Sequence, residues 1–189
     1  MDVEALIVRA ESGEEGIWTA VDRMHDEGIL AAAAGVLWCL VTEVERPLWV
    51  RREVMHAVAH REVVDEHMLG RDLGAVLSSP DEDEGFRGEA ADLIGGLGLD
   101  ACLDVVEAVL ADETQGAEVV FWSLYAASQV GGEETKGLVA RYLEDGRTVS
   151  LGRVDATVAE EAEWALGILN GEKIEPAWDA RFDEVGDGG

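Results

Sequence analysis

Lysine is nearly missing from this chain: of its 14 basic residues only Lys136 and Lys173 are lysine, and they stand against 41 Asp and Glu, a formal charge of −27. A surface this acidic repels phosphate and anionic lipid, so nucleic acid and membrane surfaces are disfavoured as partners. Proline is also scarce, at 3, and no alternating Val/Thr runs occur, whereas long Ala-, Leu- and Glu-rich segments favour helix over strand. The 2 cysteines, Cys39 and Cys102, both fall in apolar helical stretches and are read as buried free thiols rather than a disulfide. No apolar run reaches the roughly 18 residues needed to cross a bilayer, residues 29–41 coming nearest. The first residues carry acids and lack a basic segment followed by a long apolar core, so no secretory signal is expected and a cytoplasmic location is.

Acidity of this degree has two readings. A scarcity of lysine beside arginine fits a GC-rich or salt-adapted bacterial source in which acidic surfaces are general. Alternatively, the acid faces a basic partner, where complementary potentials raise the association rate. Salt adaptation spreads charge evenly; a partner site concentrates it on one face.

What the chain does contain is repetition. In residues 86–112, FRGEAADLIGGLGLDACLDVVEAVLAD, Ala90, Ala91, Ile94 and Leu97 form one apolar stripe at helical spacing, Gly98 closes that helix, and Leu103, Val106, Val109 and Leu110 form a second. This is a helical hairpin, and neither half can bury its stripe alone. Shifted by 33 residues the frame returns: Leu97 falls on Val130, Gly98 on Gly131, Leu110 on Leu143 and Asp112 on Asp145. Val76-Leu77 aligns with Val109-Leu110 at the same shift, and Val50-Arg51 matches Phe86-Arg87 across 36 residues. Residues 161–171 repeat the first helix and its glycine stop. Hairpins that need each other at such a period point to a solenoid.

On these residues, Val50-Arg51, Phe86-Arg87, Ala90-Ala91 and Asp112, the chain resembles the HEAT-like repeats of the phycobilisome-lyase type, over residues 49–171. The resemblance implies an all-α fold, an α-solenoid of antiparallel helix pairs. At 189 residues and 48% hydrophobic, one domain is expected. It would span residues 1–175, with N-terminal cap helices over 1–45, repeats over 46–171 and an acidic tail over 176–189.

In chain order, residues 3–9 and 14–25 read as short helices, the second turning Ile17, Val21 and Met24 inward, and Gly28 breaks the run. Residues 29–42 are apolar nearly all round and are expected at the centre of the core. Pro47 suits the first turn of the next helix. Residues 79–85 form an acidic turn that reads as a solvated loop, since they lack the alternating acids, central Gly and terminal Glu of a calcium loop. Residues 146–154 stretch the period and read as a longer loop. Beyond Gly171 periodicity is lost; Trp178 and Phe182, four apart, can dock a short helix as a cap, and residues 186–189 are expected to fray.

Catalytic patterns are sparse. His56 and His60 share a helix face and Glu66-His67 follows, so a zinc site can be drawn, but nothing fixes a third ligand at a recognised spacing. HEAT-like di-iron hydroxylases place His-Glu pairs early in the repeat helix; the matching positions here, Arg52-Glu53, Gly88-Glu89, Phe121-Trp122 and Glu160-Glu161, are none of them His-Glu. DNA-glycosylase relatives use a basic concave face, which the charge contradicts, and no Ser-His-Asp, Cys-His or phosphate-loop arrangement is present. No cofactor and no metal are expected.

In HEAT-like solenoids the fourth and seventh positions of the Val-Arg helix point into the concave groove, which by resemblance assigns it Glu53, His56, Glu89, Asp92, Trp122, Tyr125, Glu161 and Trp164. Acids and aromatics together suit a Lys/Arg-rich partner, although Trp122 and Trp164 fit inter-repeat core equally well. The expectation is a non-enzymatic repeat protein that binds a basic protein, such as a toxin for which it serves as immunity partner. The alternative is a HEAT-like enzyme holding a metal or small ligand in the groove.

Overall fold

Segments rich in Ala, Leu and Glu lose little rotamer freedom on coiling, and they fold here as helices. The computed structural model describes residues 3–12, 16–61 and 63–186. Its helices are α1 (Val3–Glu11), α2 (Ile17–Asp26), α3 (Leu30–Thr42), α4 (Leu48–Ala59), α5 (Glu66–Ser78), α6 (Glu84–Gly96), α7 (Leu103–Ala111), α8 (Ala117–Val130), α9 (Lys136–Val139), α10 (Val158–Leu169) and α11 (Asp179–Gly186). Two short strands, β1 (Thr148–Ser150) and β2 (Asp155–Thr157), complete it, so the fold is all-α with one small hairpin. Among the described residues no helix is long and apolar enough to cross a membrane. The chain divides into two compact units, Met1–Asp72 and Leu73–Gly189.

In the first unit α2, α3 and α4 pack on one another. Ile17, Val21 and Met24 face inward as their spacing predicts; Glu14 and Glu15, expected in that helix, lie outside the described residues. Gly28, at φ +71°, ends α2, and the Ile29 amide returns to Met24 O at 3.0 Å. Pro47 takes the N-cap of α4. Two expectations are corrected here. α3 is not central: Leu30, Ala34, Leu37, Trp38, Leu40 and Val41 are buried, but Ala31, Ala32, Gly35 and Val36 are exposed, Val36 at 57%. Its apolar outer face is what made the segment read as core. Cys39 lies on that outer face and is exposed, so only Cys102 is a buried thiol.

The second unit contains the hairpin read from residues 86–112. Gly98, at φ +63°, ends α6, with the Leu99 amide on Ile94 O and the Gly98 amide on Gly95 O, both at 3.0 Å. That left-handed turn costs glycine nothing. Gly171, at φ +80°, ends α10 in the same way. Gly131 does not: α8 stops there in extended backbone, φ −82° and ψ 177°. α8 packs against α6, α7 and α10, and α9 against α7 and α10.

Repetition in the sequence becomes repetition in bonding. Arg51 and Arg87, both buried, reach back ten residues to a carbonyl near the end of the preceding helix, Arg51 Nε to Val41 O at 2.8 Å and Arg87 Nε to Leu77 O at 2.9 Å. One period on, the equivalent carbonyl, Leu110 O, accepts instead from the Tyr142 hydroxyl at 2.7 Å. Asp112 and Asp145 each accept the amide two residues ahead at 3.0 Å. Arg87 Nη2 also donates to Gln115 Oε1 at 2.7 Å. Arg87→Met strips two acceptors of their donor, which costs about 2 kcal/mol; the urea midpoint should fall with an unchanged slope, and an unmoved midpoint would contradict this role.

Two loops prove more structured than the sequence reading held. In the acidic turn, Asp83 Oδ1 caps α6 by accepting the Phe86 amide at 3.1 Å, and Glu84 Oε1 caps α8 by accepting the Glu118 amide at 3.1 Å. The insertion at residues 146–154 is no plain loop: β1 and β2 pair antiparallel, Val149 opposite Ala156, around a turn carrying Gly152 at φ +86°. A period-2 pattern, Thr148-Val149-Ser150 and Asp155-Ala156-Thr157 about that glycine, carried the signal. The tail docks as a cap through Trp178 and Arg181; of the residues expected to fray, 187–189 lie outside the described residues.

Candidate binding cleft

Two glycines in α6 set the geometry of the site. A Cβ on Gly88 would lie 2.9 Å from Trp122 Cδ1, and one on Gly95, seven residues along, would lie 2.8 Å from Tyr125 Cε1 and 2.9 Å from Ala126 Cα. Only glycine lets α8 come this close. The approach seats Trp122 and Tyr125 directly on α6, whose half-buried Glu89 and Asp92 then stand beside the rings.

From there the aromatics form a continuous chain. Phe121 meets Trp122 edge-on at 5.3 Å, Trp122 meets Tyr125 at 6.2 Å, and Tyr125 stacks on Trp164 at 5.9 Å with 9° between planes. On the other side Phe121 touches Trp178 at 6.1 Å, and Trp178 touches Phe182 at 6.2 Å. Such spacings are those of attractive ring pairs.

α10 supplies the remaining acid. Thr157 and Glu160 make a reciprocal capping box that fixes the start of the helix. The next residue, Glu161, is thereby turned inward, where its side chain is 0% exposed. Trp178 Nε1 donates to its Oε2 at 2.8 Å, while Oε1 has no partner among the described residues. Burial pushes this carboxyl up to about 7 against the opposing pull of the Trp178 bond. Burial, then Asp92, then Glu161 raise the Tyr125 phenol.

Between these elements opens a cleft of about 370 Å³, lined by the carboxylates of Glu89, Asp92 and Glu118 and the rings of Trp122, Trp178 and Phe182. Ser150 and Leu151, at the tip of the β-hairpin, also line it. None of the described lining residues is basic. A second depression of about 400 Å³ lies at Glu113, Arg141, Tyr142, Asp145 and Arg147. There Arg141 pairs with Glu113, and Arg147 with Asp145 at 2.6 Å.

Of the residues assigned to a groove from the sequence, Glu89, Asp92 and Trp122 line the cleft. Tyr125 and Trp164 continue the ring chain, and Trp164 Nε1 donates to Ile174 O at 2.9 Å. Glu161 does not point outward as expected, because Trp178 covers it. Glu53 and His56 are half-buried on α4 in the first unit. Among the described residues no three His, Cys, Asp or Glu side chains are grouped to hold a metal ion. The sequence reading missed Glu118, though it precedes Trp122 by one turn on the same face of α8, and it missed the hairpin tip. Compared with protein-family models, curated proteins and solved structures, the chain matches none.

Proposed function

We propose that this chain is a HEAT-like repeat protein, an α-solenoid in build and not an enzyme, which holds a basic segment of a partner protein in the cleft of its second unit. The observation that carries this reading is the pairing of Glu89, Asp92 and Glu118 with Trp122, Trp178 and Phe182 around one cleft. A lysine or arginine laid over a Trp or Phe face gains about 0.5 to 2 kcal/mol, and carboxylates beside the rings select for that cation and against phosphate. The solenoid reading is supported by bonds between successive hairpins that recur near the 33-residue period: 28 residues for Arg87 with Gln115 and Thr135 with Glu107, 32 for Tyr142 with Leu110, 34 for Glu118 with Glu84.

Pull-down from native lysate at low and moderate salt, with wild type and a Glu89→Lys/Asp92→Lys variant side by side, tests the reading. A basic protein should be retained by wild type, leave as salt rises, and bind the variant at least about tenfold more weakly. Equal retention by a variant with an unchanged circular-dichroism spectrum would overturn it.

A further inference from the structure

Behind the Trp178 wall of the cleft, Glu161 has one oxygen in use and one idle. Burying an ionised carboxylate with a single donor is costly, and this side chain is 0% exposed. The cover over it is the Trp178 side chain. The segment leading to α11 is exposed from Gly171 to Glu175. Its polar attachments include Glu172 N to Gly167 O at 3.0 Å, Trp164 Nε1 to Ile174 O at 2.9 Å, Trp178 Nε1 to Glu161 Oε2 at 2.8 Å, and Arg181 to Asp155 O at 2.8 Å and Glu160 Oε1 at 2.7 Å. In effect the tail already offers the acid end of α10 an aromatic ring and a cation.

We propose that Glu161 anchors a primary-ammonium subsite, filled by the end of a partner's lysine side chain when Trp178 withdraws. The lysine source rests on the reading of the cleft as the seat of a basic segment. Three features select this cation. The idle Oε1 needs an N–H donor, which a quaternary ammonium lacks. With Trp178 withdrawn a guanidinium could set two of its five donors on the carboxylate, but the other three would go unmatched in the buried pocket. An ammonium is a point charge with three donors, for which Glu161 Oε1, Glu161 Oε2 once Trp178 has left, and the nearby Tyr125 hydroxyl are acceptors. Phe121 meets the Trp178 ring at 6.1 Å, and through Trp122 and Tyr125 the ring chain continues to Trp164 on α10, so ring surface lies at this end of the cleft.

Calorimetric titration of the full chain with n-butylammonium, at physiological ionic strength and about pH 8 where Glu161 is ionised, tests this directly. Saturable binding is expected, weaker by about tenfold or more for tetramethylammonium and for n-butylguanidinium. Glu161→Gln should lower butylammonium affinity by about tenfold or more. Trp178→Phe, which keeps a ring but removes the competing N–H, should raise it by about tenfold. Equal binding of all three cations, or of butylammonium by wild type and Glu161→Gln, would reduce the effect to general attraction by an acidic protein and overturn the subsite. No gain in Trp178→Phe would overturn the part given to Trp178. If wild type binds butylammonium through Glu161 yet retains no basic protein from lysate, the protein-partner reading fails and the ammonium site stands; retention of a basic protein without Glu161-dependent amine binding means the reverse.

Discussion

Glu161→Gln should make the protein more stable above neutral pH and remove most of the difference between its stability at pH 5 and pH 8 that this side chain causes. The folded carboxyl titrates at about 7, against 4.5 for an unperturbed glutamate. Between those values the folded chain keeps a proton that the unfolded chain has released, so stability falls as pH rises. Below about 4.5 both states are protonated and the group is neutral in effect; above about 7 its full cost is present, roughly 3 kcal/mol. Glutamine carries no charge at any pH, and its carbonyl can still accept the Trp178 N–H. Asp112 and Asp145 behave oppositely, since hydrogen bonds from Thr114 and from Arg147 hold them below the usual carboxylate range. For that reason the quantity to measure is the wild-type-minus-variant difference in urea-unfolding free energy across pH 5 to 8.5. A difference that grows with pH is expected; parallel curves would show that Glu161 is ionised and satisfied throughout.

Gly95→Val should cost at least as much, and for a purely steric reason. The first added carbon already meets Ala126 Cα at 2.9 Å and the Tyr125 ring at 2.8 Å. A ring can turn, but a backbone atom moves only with its helix, so α6 and α8 must separate and lose packing along their length. Overpacking of this kind costs about 3 kcal/mol when no side-chain adjustment relieves it, and a β-branched residue inside a helix adds to it. Urea unfolding gives the magnitude, and near-ultraviolet circular dichroism should report the loosened Trp122–Tyr125–Trp164 stack. Gly96→Val is the control: a Cβ there would meet only the Tyr125 hydroxyl, at 4.0 Å, and its effect should be near helix propensity alone.

Helices, their glycine stops and the inward residues could be read from the chain because they rest on local signals: spacing of apolar residues, and glycine where a left-handed turn ends α2, α6 and α10. The hairpin at residues 148–157 escaped because three-residue strands carry too few alternations to stand out against helical neighbours. α3 was misplaced because composition without periodicity does not say which face is covered. Within the cleft, Glu89, Asp92 and Trp122 were assigned through the resemblance to HEAT-like repeats, whereas the inward turn of Glu161 required knowing where Trp178 returns. That return is a contact 17 residues away with no periodic signature. The purpose of Gly88 and Gly95 was likewise hidden, since a glycine in a helix announces weakness rather than the neighbour it admits.

The arginine and tyrosine bonds that tie each hairpin to its predecessor also bear on how fast the second unit folds. Arg87 closes a loop of 10 residues on Leu77, and Tyr142 one of 32 on Leu110. Loop-closure entropy grows only with the logarithm of length, so bonds of this reach form early and cheaply. On the solenoid reading proposed above, a hairpin once formed offers its neighbour a finished surface to grow on. Zippering of this sort has no single obligatory nucleus, so destabilising substitutions in α6 and in α10 should slow folding to similar, modest extents.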